Sequence, residues 1–330
     1  MIATAEPFVA NILDADAWDR LAWSSDRHSG HVRVGFVTGP VDEPDLVSAA
    51  QRCDVVYAPT AEESRHPSMV GADDPETAAR DLAILVARRP QASTTVAAVL
   101  RTGVEVSVRQ ALDIESWAYS TLLGGTEFAA WLADRGPRPL PPTPAQPPVL
   151  AERLGDRLII TLNRPERRNA FGAALRDALV ELLDVAVIDD TIGAVELRGN
   201  GPVFCAGGDL DEFGTTPDPA TAHIVRTVGG AGVRLAEIAE RTTAFLHGSC
   251  VGAGIELPGL VGRVVVDPQV VIRLPEVGMG LIPGAGGTVG IPRRIGRWRA
   301  FHLAVSGTAI GADTAVAWGL ADEIADVRHS

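Results

Sequence analysis

The sequence predicts an α/β fold in which short strands alternate with helices in layers. Apolar segments of strand length recur between segments with a helical spacing of apolar residues, and glycine-rich turns join the two kinds of element. The chain has 330 residues, room for about two domains, and a hydrophobic content of 46% that is ample for a core. A proline-rich run, residues 137–148, predicts an extended linker between a first part, residues 1–136, and a second part, residues 149–330.

The alternation is clearest in the second part. Strands are predicted there at residues 157–162, 194–197, 243–246, 263–266 and 270–272. Helices are predicted between and after them, the longest interrupted by two glycines, at residues 173–186, 221–241, 252–261, 297–305 and 313–318. In the first part, strands are predicted at 32–37 and 54–57 and helices at 81–88, 93–100 and 113–131.

The composition excludes several classes of chemistry. The sequence contains no lysine, so all 29 of its Lys and Arg positions are arginine. A lysine Schiff base, and with it pyridoxal-phosphate chemistry, is therefore excluded, as is a phosphate-binding P-loop, which requires a lysine. The net charge of −13 argues against a nucleic-acid partner, because proteins that bind nucleic acid carry a basic surface.

The cysteines and the N-terminus indicate a reducing compartment. Cys53, Cys205 and Cys250 are too widely spaced to suggest a disulfide framework or a zinc site, and we expect no bound metal. Residues 1–14 lack the basic and apolar regions of a secretory signal, and no apolar run is long enough to span a bilayer. We therefore expect a cytoplasmic protein with no membrane segment.

Three glycine-rich turns of the second part carry the candidate chemistry. They lie at residues 204–210, 247–257 and 274–288. Small residues allow backbone N–H groups to approach a ligand oxygen, and two such turns that face each other would form an oxyanion hole. Glu256 and Glu276 each stand in an apolar segment beside such a turn, where a carboxyl group costs free energy unless it is paired or used. Each alone could be a structural acid, but together they favour general acid–base chemistry.

The order of these motifs resembles the enoyl-CoA hydratase/isomerase (crotonase) family. Residues 155–171 are similar to the opening of the family's domain, and the turns at 204–210 and 247–257 are similar to its two oxyanion-hole turns. The Pro-Glu…Pro-Gly-Ala-Gly-Gly-Thr pattern of residues 275–288 and the Gly-Leu ending within residues 306–323 complete the resemblance. It implies the crotonase fold, a repeated ββα spiral with a helical region.

The resemblance also implies a CoA-thioester substrate and no cofactor beyond the coenzyme A of the substrate itself. The thioester oxygen would lie between the backbone N–H groups of Gly208 and Ala253, which would stabilise an enolate. Glu256 and Glu276 would hold a water between them, one acting as base and the other as proton donor to the substrate Cα. The family further implies a homo-oligomer, a trimer or a hexamer.

Further substrate contacts follow from the same resemblance. Because the chain has no lysine, arginine must contact the CoA phosphates, and Arg168 is better placed for this than Arg164 or Arg167, with an ordinary surface arginine as the alternative for each. The other implied contacts lie in or beside the oxyanion-hole turns, at Ala170, Ala206, Gly207, Asp209, Leu210 and Gly252.

Four positions depart from the family's pattern. Ala253 replaces a glycine, His247 replaces an asparagine in a supporting place, and Arg263 stands where an aspartate is usual. Arg273 precedes Glu276 by three residues and would lower the pKa of that carboxyl group if its side chain turned inward. A solvated Arg273 is the favoured interpretation.

The helices of the first part resemble the helical region that follows the Gly-Leu ending in the family, whereas the sequence given ends at Ser330, soon after that motif. Residues 53–61 are similar to the strand that follows the second oxyanion-hole turn. We therefore interpret residues 1–136 as a partial, degenerate crotonase-like domain whose helices complete the second part. An unrelated α/β appendage is the alternative.

Several functions remain compatible with these residues. Hydration of a 2-enoyl-CoA is favoured because both glutamates are present. Isomerisation, decarboxylation, thioester hydrolysis and cofactor-independent oxygenation of an aryl-acetyl-CoA would use the same oxyanion hole. A non-catalytic partner protein, favoured by Arg273 and Ala253, is an alternative of a different class. The acyl group should be selected by residues 212–222 and the helix that follows them.

Overall fold

The computed structural model describes residues 7–12, 31–39 and 42–327, and its sheets and covering helices confirm the α/β class. In chain order the strands are β1 (Phe8–Asn11), β2 (Arg33–Phe36), β3 (Val55–Pro59), β4 (Met69–Ala72), β5 (Val149–Leu154), β6 (Arg157–Leu162), β7 (Ala194–Gly199), β8 (Thr242–Leu246), β9 (Ser249–Val251), β10 (Arg263–Val266), β11 (Val271–Arg273) and β12 (Glu323–Ile324). The helices are α1 (Glu43–Arg52), α2 (Pro75–Arg88), α3 (Pro90–Gly103), α4 (Val108–Leu123), α5 (Thr126–Arg135), α6 (Ala173–Ile188), α7 (Pro219–Val228), α8 (Ala231–Glu237), α9 (Ala253–Glu256), α10 (Gly287–Ser306) and α11 (Ala312–Trp318).

The second part is built on a sheet with the strand order β12-β10-β8-β7-β6-β5. Its pairs are parallel except for the β5–β6 hairpin, which turns at Gly155 with a φ of +66°. A smaller parallel pair joins β9 to β11. Helix α6 packs a buried stripe against the large sheet, consisting of Leu175, Leu179 and Leu183. The glycine-rich turns leave the ends of β7 and β9, so the two sheets fix the position of the site.

The first part is a parallel sheet, in the order β1-β2-β3-β4, followed by helices α2 to α5. Asp74 caps α2 by accepting a hydrogen bond from Thr77 N at 3.1 Å. Ser107 and Gln110 form a capping box at the start of α4, each side chain accepting from the other residue's backbone N–H. These caps define where the long helices begin, and thus which side chains α4 presents to the second part.

The helices of the first part lie directly on the second part. Helices α3 and α4 pack against α10, and α4 also packs against α7. A Cβ at Gly280 would lie 2.6 Å from the backbone N of Phe128, and a Cβ at Gly284 would overlap the ring of Tyr119. Contacts this close require glycine on the second part, so the loop before α10 is shaped to receive α4 and α5.

The sheet and helix α1 of the first part contact the C-terminal half of α10. Trp298 Nε1 donates to Ala50 O at 2.8 Å, and the Tyr57 hydroxyl lies 2.8 Å from His302 Nδ1. Burial lowers the pKa of His302 to about 4, so this imidazole is neutral at physiological pH. The two parts therefore share one continuous apolar core around α10, to which buried side chains of both sheets contribute.

The sequence analysis did not predict strands β1, β4, β5, β9 and β12 or helix α1, and several predicted elements differ from the observed ones in extent. The predicted helix 113–131 is wrong as a single element, because Gly124 and Gly125 break it into α4 and α5. The predicted helix 252–261 is also wrong, since it is one turn of α9 followed by a 3-10 turn at Pro258–Leu260. The predicted helix 297–305 is the second half of α10, which begins ten residues earlier and kinks at Gly296. Residues 137–148 form no helix or strand.

Candidate active site

The first glycine-rich turn follows β7 and lies beside the second one. Gly207 has a φ of +101°, and a Cβ there would lie 2.9 Å from Val251 O. Phe171 N donates to Gly207 O at 2.7 Å and Asp209 N donates to Phe171 O at 3.3 Å, which holds Gly208 between two fixed peptides. The left-handed backbone and the close approach both require glycine at position 207.

The second turn runs from β9 through Gly252, with a φ of +50°, into α9. Val251 N donates to Cys205 O at 3.1 Å, which joins this turn to the first. Gly208 and Ala253 line one cleft, and their N–H groups donate no hydrogen bond to another residue that the structure describes. Two N–H groups left without a partner at the same cleft are the donors that an oxyanion hole needs.

The cleft has a volume of about 210 Å³ and is lined by both parts of the chain. The first part contributes Tyr119 and Leu123 on α4 and Phe128 on α5. The second part contributes polar and charged groups from several elements, namely Arg176, Gly208, Asp209, Glu212, Thr216, Arg226, Ala253, Glu256 and Glu276. The first part thus supplies a largely apolar wall, with Tyr119 in it, to a cleft whose charged lining groups belong to the second part.

Glu256 is buried at the end of α9, and its carboxylate is held by the third glycine-rich turn. Its Oε2 accepts hydrogen bonds from Ala285 N at 2.7 Å and Gly287 N at 3.1 Å. Burial raises the pKa of Glu256 well above its usual value, and the neighbouring carboxyls of Glu276 and Glu115 raise it further. The two N–H donors oppose this rise because they stabilise the carboxylate.

Glu276 follows β11 and meets Glu256 at Gly252. A Cβ on Gly252 would overlap Glu276 Oε1 and would lie 3.7 Å from Glu256 Oε1. Glu276 Oε2 is buried and has no hydrogen-bond partner in the described part of the chain. Burial raises the pKa of Glu276 to about 8. Since both carboxyls have raised pKa values, the pair retains at least one proton at neutral pH.

A third carboxyl group, Glu115, reaches the site from α4 of the first part. Its Oε1 accepts from Gly286 N at 2.7 Å, and its Oε2 accepts from Thr288 N at 2.8 Å and from the Thr288 hydroxyl at 2.6 Å. Burial raises the pKa of Glu115 to about 7, and these three donors oppose the rise. Glu115 was not among the residues predicted from the sequence, although its place between Ala111 and Leu122 in the apolar stripe of α4 is a detectable signal.

The predicted substrate contacts beside the first turn have different surroundings. Arg167 binds the buried Asp209 carboxylate through Nε at 3.0 Å and Nη2 at 2.7 Å, and its Nη2 also binds Asp211 at 2.8 Å. Arg164 is buried and lies 3.5 Å from the Glu166 carboxylate. Both arginines thus have carboxylate neighbours within the chain, and Asp209 has its charge neutralised although it lines the cleft.

Arg168 is the exposed member of the three predicted arginines, and it stands in a left-handed conformation with a φ of +53°. Its carbonyl accepts from Ala206 N at 3.0 Å, so it abuts the first turn. Ala170 and Ala206 are half-buried there, and Leu210 is 42% exposed. The structure therefore places Arg168, Ala170, Ala206 and Leu210 at the rim of the turn, and these contacts stay predictions.

The residues that depart from the family's pattern do not disturb the carboxyl pair. Arg273 Nε donates to Gly307 O at 2.6 Å on the exposed side of β11, so its side chain is turned to the surface and only weakly lowers the pKa of Glu276. His247 Nε2 lies 3.0 Å from Gly201 O and supports the loop after β7. Arg263 forms an ion pair with Glu323 at the sheet edge.

The described residues contain neither a metal-binding cluster of side chains nor a helix suited to span a membrane. Within residues 7–12, 31–39 and 42–327, no cluster of three or more His, Cys, Asp and Glu side chains has the arrangement of a metal site. In the same ranges, no helix combines the length and apolar character needed to cross a bilayer. The three cysteines are buried free thiols.

Comparison with known proteins agrees with this geometry. Residues 157–328, just over half of the chain, match the family model described as enoyl-CoA hydratase/isomerase. A solved enoyl-CoA hydratase from Thermoplasma volcanium superposes with a TM-score of 0.51 at 33% sequence identity, over 56% of this chain and 74% of that one. The fold is thus the crotonase fold, and the chain belongs to the enoyl-CoA hydratase/isomerase family.

Two curated relatives from Escherichia coli illustrate the range of the family. A 2,3-dehydroadipyl-CoA hydratase is 36% identical over 167 residues, which are 51% of this chain and 65% of that protein. A 1,2-epoxyphenylacetyl-CoA isomerase is 36% identical over 177 residues, which are 51% of this chain and 66% of that protein. The chain thus spans slightly less than two thirds of the length of these relatives.

Proposed function

We propose that the protein hydrates a 2-enoyl-CoA thioester. The observation that carries this proposal is the meeting of two buried carboxyl groups, Glu256 and Glu276, at Gly252, in the cleft that also holds the N–H groups of Gly208 and Ala253. Hydration of a conjugated thioester needs a base for water, a proton donor for Cα and stabilisation of an enolate oxygen. These four groups supply all three requirements.

The number of protons on Glu256 and Glu276 suits this reaction. Water bound between the two side chains would add its oxygen to the substrate Cβ while one carboxylate takes the water proton. The electron pair of the double bond would move to the thioester oxygen, where Gly208 N and Ala253 N stabilise the enolate. The other, protonated carboxyl would then donate its proton to Cα, which reforms the thioester carbonyl. The pair begins and ends with one proton, and the raised pKa values favour a protonated carboxyl as the proton donor at neutral pH.

Isomerisation is the principal alternative within the family. Moving a double bond requires one carboxyl group that carries a proton from one carbon to another, with no water consumed. Hydration is favoured because both carboxyls lie at the same point of the cleft and Glu276 Oε2 has no other partner among the described residues. A non-catalytic partner protein is disfavoured because burial of the unpartnered Glu276 carboxyl costs free energy without stabilising the fold.

The product of the reaction distinguishes these functions. The full chain is incubated with 2-enoyl-CoA thioesters of increasing length, and the loss of the conjugated thioester absorbance is followed. Mass spectrometry then identifies the product: hydration adds the mass of one water, and in deuterium oxide it places one deuterium on Cα. An isomer of unchanged mass would support isomerisation, and CoA binding without conversion of any thioester would support the partner protein.

The state of assembly remains a prediction from the resemblance, and we propose a homo-oligomer, a trimer or a hexamer. Sedimentation equilibrium of the full chain measures the mass directly. A monomer across the concentration range used for the kinetic measurements would contradict the proposal.

A further inference from the structure

Two arginines lie where the catalytic cleft meets a second cavity. Arg176 on α6 and Arg226 on α7 line the cleft that contains Glu256 and Glu276. The same two arginines line an adjoining side cavity of about 70 Å³, together with Ser116 and Thr227. Phe171, Gly284 and Ala285 also border both spaces. A chain that extended from the oxyanion hole into the side cavity would therefore run beside these two arginines.

The guanidinium of Arg226 is held by neutral groups. Its Nε donates to the Ser116 hydroxyl at 3.3 Å, and its Nη2 donates to Ser116 O at 3.4 Å and to the Ser120 hydroxyl. Its Cζ lies 4.3 Å from the centre of the Tyr119 ring. No carboxylate of the described residues forms an ion pair with it. A largely buried cation without an ionic partner costs free energy that a bound anion would offset.

The other charges around the passage do not replace that partner. Arg176 is paired with its neighbour Asp177, through Nη2 at 2.7 Å, on the outer side of α6. Both oxygens of Glu115 accept from backbone or hydroxyl donors of Gly286 and Thr288, and this nearby carboxyl opposes the lowering of the pKa of Arg226 by burial without forming an ion pair with it. Asp113 borders the side cavity, and its negative charge would repel an anion bound close to it.

We propose that Arg226, with Arg176 beside it, binds a carboxylate at the far end of the substrate's acyl chain. The natural substrate class is then the CoA thioester of an unsaturated dicarboxylic acid. A guanidinium recognises a carboxylate by paired, charge-assisted hydrogen bonds, and the low polarity of the passage strengthens them. This inference rests on the proposed function, because it assigns the acyl group that the oxyanion hole would present.

The position of Arg226 in the chain agrees with this role. Helix α7 follows the loop after the first glycine-rich turn, the region expected to select the acyl group. The interactions of Arg226 with Ser116, Ser120 and Tyr119 fix its guanidinium against α4. The first part of the chain therefore orients the group that would bind the terminal carboxylate of the acyl chain. A fixed donor loses little conformational entropy when a carboxylate binds.

The experiment compares pairs of 2-enoyl-CoA thioesters of equal length, from four to eight carbons, with a terminal carboxylate or a terminal methyl group. For at least one length, we expect kcat/KM of the wild type to favour the carboxylate by about tenfold or more, as one strong charge-assisted hydrogen bond gives. Arg226→Gln and Arg176→Gln should reduce this ratio, and Arg226→Lys should retain part of it. Arg80→Gln, which removes an exposed arginine of α2, is the matched control that should leave the ratio unchanged.

Binding distinguishes failure of the inference from failure of the proposed function. Calorimetry with the saturated six-carbon pair, one terminus carboxylate and the other methyl, measures the preference without turnover. A preference in binding without hydration would contradict hydration alone. Equal kcat/KM and equal affinity for both members of every pair would overturn the carboxylate site. Equal weakening of free CoA and both thioesters by Arg226→Gln would also overturn it, because Arg226 would then contact the CoA phosphates. Arg176→Gln tests the same ratio if Arg226→Gln fails to fold.

Discussion

Glu115 and Glu256 bind alternate N–H groups of one glycine-rich turn. Glu256 Oε2 accepts from the N–H groups of residues 285 and 287, and Glu115 accepts from those of residues 286 and 288. One carboxyl comes from the second part and the other from the first, so the turn is fixed between them. We expect Glu115 to act on the geometry of Glu256 through this shared turn, as a positioning residue.

Replacing Glu115 by glutamine should therefore lower both stability and turnover. The glutamine amide would direct N–H groups at backbone donors, and leaving such groups unsatisfied costs about 1–3 kcal/mol. We expect the free energy of unfolding in urea to fall by that amount, kcat to fall about tenfold or more, and KM to change less. Glu105→Gln, at an exposed position before α4, is the control. If kcat of Glu115→Gln equals that of the wild type, the positioning role is wrong.

The carboxyl cluster should make the protein less stable as the pH rises. Burial raises the pKa of Glu115 from 4.5 to about 7 and that of Glu276 from 4.5 to about 8. Between these limits the folded state binds more protons than the unfolded state, so the free energy of unfolding falls from about pH 4.5 to pH 8. For Glu115 the upper bound of this loss is about 3 kcal/mol, since one pKa unit corresponds to about 1.4 kcal/mol.

Urea unfolding at intervals from pH 5 to pH 8 checks this expectation. The decrease in stability over that range should be smaller in Glu115→Gln than in the wild type, whatever the absolute stabilities. A decrease of equal size in both proteins would show that Glu115 does not titrate in the folded state as its burial requires.

Adding one methyl group at Gly252 should disable the site. A Cβ there would overlap Glu276 Oε1, and the φ of +50° is strained for alanine. We expect Gly252→Ala to lose about 1–3 kcal/mol of stability and more than tenfold in kcat. Gly278→Ala is the matched control, because nothing lies within 4 Å of a Cβ at that exposed glycine. Full activity of Gly252→Ala would contradict the placement of Glu276.

The two parts should remain associated after the linker is cut. A protease site introduced within residues 137–148 leaves the shared core over α10 untouched, because this segment contains no helix or strand. We expect the cleaved fragments to elute together in gel filtration and to retain most of the activity. A fragment of residues 149–330 alone should be poorly soluble and inactive, since it lacks Glu115 and one wall of the cleft. Full activity of that fragment would refute the view that the first part completes the site.

Local sequence signals were sufficient for most strands of the second part and for singling out two carboxyl groups. Strand-length apolar runs indicated β6, β7, β8, β10 and β11 but not β5, β9 or β12, and Glu256 and Glu276 stand out because carboxyls are rare in apolar segments. The partners of Arg167 could not be predicted from such local signals. Its neighbours in sequence suggested a phosphate contact, whereas the fold brings Asp209 and Asp211 to it from more than forty residues away.

The site's dependence on the first part could not be obtained in the same way. Glu115 is 171 residues from Gly286 in the chain, and only the packing of α4 on α10 brings them together. Arg226 likewise has its partners, Ser116 and Ser120, more than a hundred residues away. A long-range contact of this kind has no local pattern, although a glutamate within the apolar stripe of an amphipathic helix marks a candidate.

Turnover by Glu276→Gln is the decisive measurement for the two-carboxyl mechanism of hydration. The wild type and the variant are compared with the same 2-enoyl-CoA, together with urea unfolding of both proteins at pH 8. We expect kcat/KM of the variant to fall by about a hundredfold or more while stability is retained or increased, because a neutral amide replaces a buried carboxyl group. Hydration by the variant within threefold of the wild-type rate would contradict the two-carboxyl mechanism.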